Sequence, residues 1–280
     1  MAAHSRRRWL VRLGKTVLVL AVLFMLLRWF EHKQTYHPSR TLYVSGAELG
    51  RPWEEARFAT ADGVQLHGWF FPAATNSPHA HLAVLLCHGN GGNISHRLWL
   101  YDLLLEAGVS VFAFDYRGYG LSEGKPSELG TYLDAQAAYA WLRQKGFTAT
   151  NIIAYGESLG GGIASELAVR ETVGGLVLHS TYTSVTDLGS ELFPWLPVRT
   201  LGSIRYDTHS KLPQIHAPVL LLHSRADTLI GFHHAERNFA AANAPKWLVE
   251  ISGDHNDGIR DRAAFLTEWE QLLATFDVRK

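Results

Sequence analysis

The 280-residue chain is 47% hydrophobic and 19% charged, a composition that buries a sizeable core and excludes a disordered polypeptide. Its 26 Lys and Arg balance 26 Asp and Glu, so no net field recruits nucleic acid. A single cysteine, Cys87, excludes an intrachain disulfide and a cysteine-based metal cluster.

Residues 16–27 (TVLVLAVLFMLL) form an unbroken apolar run of twelve. Extended over 10–30, it takes in Arg12, Lys15 and Arg28, whose long stems can snorkel towards water. Trp9, Trp29 and Phe30 stand where interfacial aromatics belong. A cleaved signal needs a small-x-small site after the run, and residues 28–32 (RWFEH) offer none. A buried helix of a soluble domain would not usually be both flanked by Arg6-Arg7-Arg8 and apolar on every side. The segment 1–34 therefore reads as an uncleaved, single-pass signal anchor, followed by one catalytic domain over 35–280. Arg6, Arg7, Arg8, Arg12 and Lys15 precede the run, whereas Arg28, Lys33 and Arg40 follow it. That bias predicts a cytoplasmic N-terminus and a domain on the far side.

Beyond residue 40 the pattern begins with a hairpin, 57–60 and 64–71, turning at Asp62-Gly63. Predicted strands then follow at 82–87, 109–114, 151–155, 176–179, 219–223 and 247–251. Helical stretches lie at 94–107, 129–145, 159–170, 232–242 and 261–276. Short apolar strands alternating with helices imply a mostly parallel sheet covered on both faces. Chemistry in such a sheet belongs to loops at the carboxyl ends of strands.

Gly-x-Ser-x-Gly occurs twice, around Ser122 and around Ser158. A nucleophile elbow needs a strand running into the turn and a helix leaving it. Ser158 has both, with the apolar residues 151–155 before it and the small-residue run GGGIAS (160–165) after it. Ser122 is followed by Lys125-Pro126-Ser127, a loop, and reads as a turn.

A serine hydroxyl needs a base to take its proton, and the base needs a third group to hold its tautomer. The first acid just past a later strand is Asp227, and the first histidine past the next strand is His255. The chain order serine, acid, histidine fits an elbow serine on a parallel sheet. His179 and His223 also end strands and read as core or supporting residues. Asp115 reads as an anchor for the loop 117–120. The oxyanion hole should pair the N–H of Leu159 with one from the loop HGNGGN (88–93). Asn90 is assigned that second donor, with Gly89 its nearest rival, and His88 is expected to buttress the loop.

Together, HGNGGN (88–93), FDYRGYGLSEGKPSE (114–128), the elbow at 156–161, STYTSV (180–185), LHSRADTLI (222–230) and GDHND (253–257) resemble the α/β-hydrolase superfamily. Within it they are similar to the membrane-anchored bud-emergence type, the α/β-hydrolase-domain serine hydrolases. The resemblance covers roughly residues 35–270. It implies the α/β-hydrolase fold, an N-terminal anchor and a Ser158–Asp227–His255 triad. Glu157 departs from it, standing where relatives often carry a basic or neutral residue.

The expected chemistry is acyl transfer from an ester or thioester to water. A peptidase or amidase on the same fold, and a non-catalytic tethered binding module, remain as alternatives. No metal or cofactor is implied, since His233-His234 and His79-x-His81 read as surface residues. About 40 residues between 180 and 219 leave room for a small cap only. Its apolar centre FPWLPV (193–198) reads either as ordinary packing or as an acyl-chain surface near the membrane. The expected partners are therefore a small-molecule or lipid acyl substrate and the membrane itself.

Overall fold

The computed structural model describes residues 2–257, 259 and 261–277; for 2–8, 11, 276 and 277 it describes the backbone alone. The side chains of the arginine triplet at 6–8 thus lie outside the described residues. Two strands open the sheet as an antiparallel hairpin, β1 (Glu54–Ala59) and β2 (Gln65–Phe71), with Ala59 opposite Gln65. Six more follow: β3 (Ala83–Cys87), β4 (Ser110–Asp115), β5 (Ile152–Glu157), β6 (Gly175–His179), β7 (Val219–His223) and β8 (Lys246–Glu250). Their order across the sheet is β8-β7-β6-β5-β3-β4-β2-β1. Pairing is antiparallel at β1–β2 and β2–β4 and parallel from β4 through to β8.

The central strands are apolar on both sides because both sides are covered. All five residues of β3, β6 and β7 are buried. One face packs with α3 (Glu128–Gln144) and α4 (Leu159–Arg170) through Ala135, Ala138, Ile163 and Leu167. The other packs with α2 (Leu98–Glu106) and α9 (Arg262–Asp277) through Leu100, Leu104, Phe265 and Trp269. Between β6 and β7 stand the short helices α5 (Val185–Leu192), α6 (Val198–Leu201) and α7 (Thr208–Lys211) and a 3-10 turn at Leu212–Gln214, so the cap is small, as expected. Helix α8 (His233–Ala241) connects β7 to β8.

The predicted helix 94–107 is divided. Asn93 accepts from the Ser95 N–H and caps a single 3-10 turn, Ile94–His96, before α2 begins at Leu98. Asp115 Oδ1 draws the Ile94 N–H to itself at 2.9 Å, which fixes that turn to the end of β4.

Helix α1 (Ala2–Thr35) is continuous and includes a 24-residue stretch, Arg12–Thr35, long and apolar enough to cross a membrane. Its last two turns join the domain without a linker. Glu31 accepts the N–H groups of Ser203 and Ile204, and Tyr36 OH meets Tyr206 OH at 2.9 Å. Immediately afterwards, His37–Pro38 pairs in parallel with Gly91–Gly92. The end of α1 is thus already packed on the domain.

Leu85 lies fully buried in the middle of β3. Leu85→Ala is expected to cost about 2–5 kcal/mol, cavity included, read as a lower denaturant midpoint in detergent. An unchanged midpoint would contradict this account of the core.

Candidate active site

Strand order reverses around β3, whose neighbours are β4 on one side and β5 on the other. The carboxyl ends of β3 and β5 frame the crevice that such a reversal opens. Ser158 follows β5 directly and has φ 51° and ψ −114°, a conformation disfavoured for a residue bearing a Cβ. Two glycines make the turn feasible. A Cβ at Gly156 would stand 2.4 Å from Gly160 O, and one at Gly160 would stand 1.9 Å from Cys87 O. The strained residue is held from both sides: its N–H donates to His179 O at 2.9 Å, and its carbonyl accepts Thr181 Oγ1–H at 2.7 Å.

The three residues singled out in sequence come together. His255 Nε2 lies 3.2 Å from Ser158 Oγ, and His255 Nδ1 lies 2.8 Å from Asp227 Oδ2. Burial pushes the Asp227 carboxyl up. The hydrogen bonds from His255 and the Ile230 N–H outweigh it and hold the group below the usual carboxylate range. An ionised Asp227 only accepts, so His255 Nδ1 carries the proton and Nε2 turns its lone pair towards Ser158. Asp227 Oδ1 also accepts the N–H groups of Leu229 and Ile230, at 3.0 and 2.7 Å.

Supporting residues fill the roles expected of them, with additions. His223 Nε2 donates to Ile230 O at 2.8 Å and steadies the acid loop. His179 is buried, hydrogen-bonds Tyr155 OH through Nδ1 and is pushed down to about 4 by burial. Asp254 was missed. Its Oδ1 accepts the N–H groups of both Thr228 and His255, tying the acid loop to the histidine loop, and only its adjacency to His255 signalled it.

The loop 88–93, expected to supply the second oxyanion donor, is fixed through one peptide. His88 Nδ1 donates to Gly89 O at 2.7 Å. In a trans peptide the N–H points opposite to the C=O, so this bond sets the direction of the Asn90 N–H. Tyr119 OH and the His37 N–H then hold Asn90 O, at 2.9 and 3.0 Å. Leu159 is the first residue of α4, so its N–H has no partner within the helix. A Cβ added at Gly89 would stand 3.5 Å from Ser158 Cβ, which shows how closely this loop approaches the serine.

Asp115, expected to anchor the loop 117–120, touches that loop at Gly120, and its carboxylate also takes the Ile94 N–H rather than Arg117. Arg117 is claimed instead by buried Asp134 and by Asp62, each reached by two hydrogen bonds. Ser122 is indeed a turn residue, its hydroxyl donating to Asp115 O at 2.6 Å and accepting the His67 N–H at 2.9 Å. Glu157, the departure from the family pattern, forms an ion pair with the buried Arg97 at 2.8 Å. Arg97 also donates to Asn93 O and Gly91 O, so the pair ties the elbow to the oxyanion loop. Burial pushes the Glu157 carboxyl up, but Arg97 and His179 hold it below its ordinary value.

The cleft over Ser158 is open to solvent and is lined by Asn90, His96, Arg97, Trp99, His179 and His255, among others. Away from it, Glu191, His233 and His234 lie close enough to suggest a metal site. His234 is buried rather than on the surface, and its Nδ1 accepts the Thr183 N–H at 3.1 Å. Nε2 therefore carries the hydrogen, which points to Glu191 Oε2 at 3.3 Å, and offers a metal no lone pair.

Gly160→Ala is expected to lower the thermal midpoint sharply, because backbone must move to admit the methyl. Gly91→Ala, with open space where the Cβ would stand, is expected to leave it nearly unchanged. Equal midpoints for the two variants would contradict the elbow geometry.

A family model for the alpha/beta hydrolase fold matches residues 83–209. An uncharacterized protein of Mycobacterium tuberculosis is 37% identical over 255 residues, 90% of each chain. The Arabidopsis thaliana alpha/beta hydrolase domain-containing protein WAV2 is 32% identical over 257 residues, 81% of this chain and 82% of its own. Among solved structures, the Pyrococcus furiosus esterase Pf2001 superposes with a TM-score of 0.68 at 22% identity, over 85% of this chain and 99% of its own. The fold, the order of the strands and these relatives agree: the chain belongs to the α/β-hydrolase family.

Proposed function

We propose that the protein is a serine hydrolase that cleaves carboxylic ester or thioester bonds, with Ser158 as nucleophile, His255 as base and Asp227 as orienting acid. The observation that carries this reading is the chain Ser158 Oγ–His255 Nε2 at 3.2 Å and His255 Nδ1–Asp227 Oδ2 at 2.8 Å. Nε2 takes the Ser158 proton as Oγ attacks the acyl carbon. The N–H groups of Leu159 and Asn90 receive the developing oxyanion. Collapse breaks the bond to the leaving alcohol or thiol, which departs with the proton from His255. Water, deprotonated by the same nitrogen, then attacks the acyl-enzyme and frees the acid and Ser158. Solved proteins of this fold that are esterases, from Pyrococcus furiosus and Exiguobacterium antarcticum, support the reaction class.

On this reading α1 is a single-pass anchor with a cytoplasmic N-terminus, as in the membrane-anchored bud-emergence type, and the domain lies across the membrane. The cleft lining narrows the choice of substrate. Trp99 is the one large apolar side chain among the residues that line it, the rest being glycines and polar or charged groups. This favours short or polar acyl groups over long chains held at Ser158.

Asp227→Asn is expected to lower kcat by about 10⁴, as the equivalent change does in serine proteases, with KM little altered. A fall below tenfold would remove Asp227 from the triad. Across p-nitrophenyl esters, acetate and butyrate are expected to turn over best. A steady rise in kcat/KM through laurate would restore a lipid acyl chain as the substrate.

A further inference from the structure

We infer that the cap segment between α5 and α6, centred on Trp195, is a second membrane contact that seats the catalytic domain on the lipid surface α1 spans. This rests on reading α1 as an anchor. The depth of the segment follows from α1 itself. The charge-free run 16–27 is about 18 Å long at 1.5 Å per residue, shorter than a hydrocarbon core of about 30 Å. Lys15 and Arg28 at its ends can therefore stand no further from the headgroups than their stems reach. Arg28 donates to Leu201 O in α6 and pairs with Glu31, which in turn holds Ser203 and Ile204. Whatever the depth of Arg28, the cap shares it.

The residues at that level have the chemistry of a bilayer interface. Phe30 of α1 meets Phe193 edge-on at 5.5 Å, and Phe193 meets Trp195 in the same way at 6.3 Å. Trp195 is nonetheless 75% exposed, and Leu192 and Leu201 are 47% and 43% exposed. Trp29, 61% exposed, lies one residue beyond Arg28 on the helix. Tryptophans at the end of an apolar span belong to the headgroup boundary. Between helix and cap runs an apolar groove lined by Leu27, Phe30, Phe193, Leu196, Val198 and Leu201. In water this face would leave a tryptophan and two leucines uncovered beside a helix that is itself apolar. Against the bilayer in which α1 sits, it is covered without any further partner. The groove shares no lining residue with the cleft over Ser158.

The test uses the full chain in phosphatidylcholine vesicles. Cys87 is buried, so an environment-sensitive NBD label goes to an introduced cysteine at one position at a time. Leu20→Cys reports the span, Trp195→Cys and Leu192→Cys report the cap, and Thr150→Cys, exposed just before the amino end of the central strand β5, reports water. Quenching by lipids spin-labelled high on the acyl chain is expected at 195 and 192, at least twofold above that at 150. Quenching at 20 but not at 195 or 192 would overturn the cap contact and leave the anchor standing. No quenching at any of the positions would overturn the anchor itself. A label at 195 that is shielded only as protein concentration rises, and not quenched by lipid, would assign the face to a second copy of the chain and overturn the lipid assignment. Leu192→Cys guards against a label at 195 that disturbs its own site.

Discussion

Everything at the candidate site depends on one strained residue. A serine at φ 51° between β5 and α4 is tolerated only because the chain on each side of it gives way. Gly156 and Gly160 approach each other and the end of β3 more closely than any Cβ permits. Backbone strain of this kind costs of order 1–3 kcal/mol and persists where the surroundings over-determine it. Here the over-determination is visible: His179 O and Thr181 Oγ1 grip the Ser158 peptide from β6 and the loop behind it. The return for that cost is a hydroxyl standing clear of the sheet at the amino end of a helix.

The other parts are then brought to the serine by hydrogen bonds that run between loops rather than within them. Asp254 ties the histidine loop to the acid loop, and His223 ties the acid loop to the end of its own strand. On the opposite side, Arg97 and Glu157 join the loop 88–93 to the elbow, while His88 fixes the Gly89–Asn90 peptide, one of the two proposed oxyanion donors. A buried ion pair is expensive to desolvate, and removing one partner is worse than never having had either. Its position between the two loops that must keep register accounts for its presence. The segment leaving α1 takes part as well, since His37–Pro38 pairs with Gly91–Gly92 in that same loop.

Much of this was legible in the sequence because the relevant signals are local. A strand running into Gly-x-Ser-x-Gly and a glycine-rich helix leaving it identify Ser158 over Ser122 from a dozen residues. Asp227 and His255 follow from chain order and from their places at strand ends. What was not legible depends on distant pairing. Glu157 looks like an anomaly beside the nucleophile until Arg97, sixty positions earlier, is seen to neutralise it. Asp115 could be placed at the end of β4 and beside the loop 117–120, but its hydrogen bond to the Ile94 N–H, 21 residues earlier, has no local signal. His234 reads as one of two exposed histidines, yet the turn of α8 buries it while leaving His233 out. The docking of α1 on the cap has no local signature, because Glu31 finds its partners 172 and 173 residues away.

The central claim is that this arrangement activates one particular serine. Treating the folded protein with a fluorophosphonate and mapping the adduct by peptide mass spectrometry addresses it directly. The account predicts stoichiometric modification of Ser158, none at Ser122, and loss of the adduct in His255→Ala. An adduct on Ser122, or no adduct on protein shown to be folded, would contradict it.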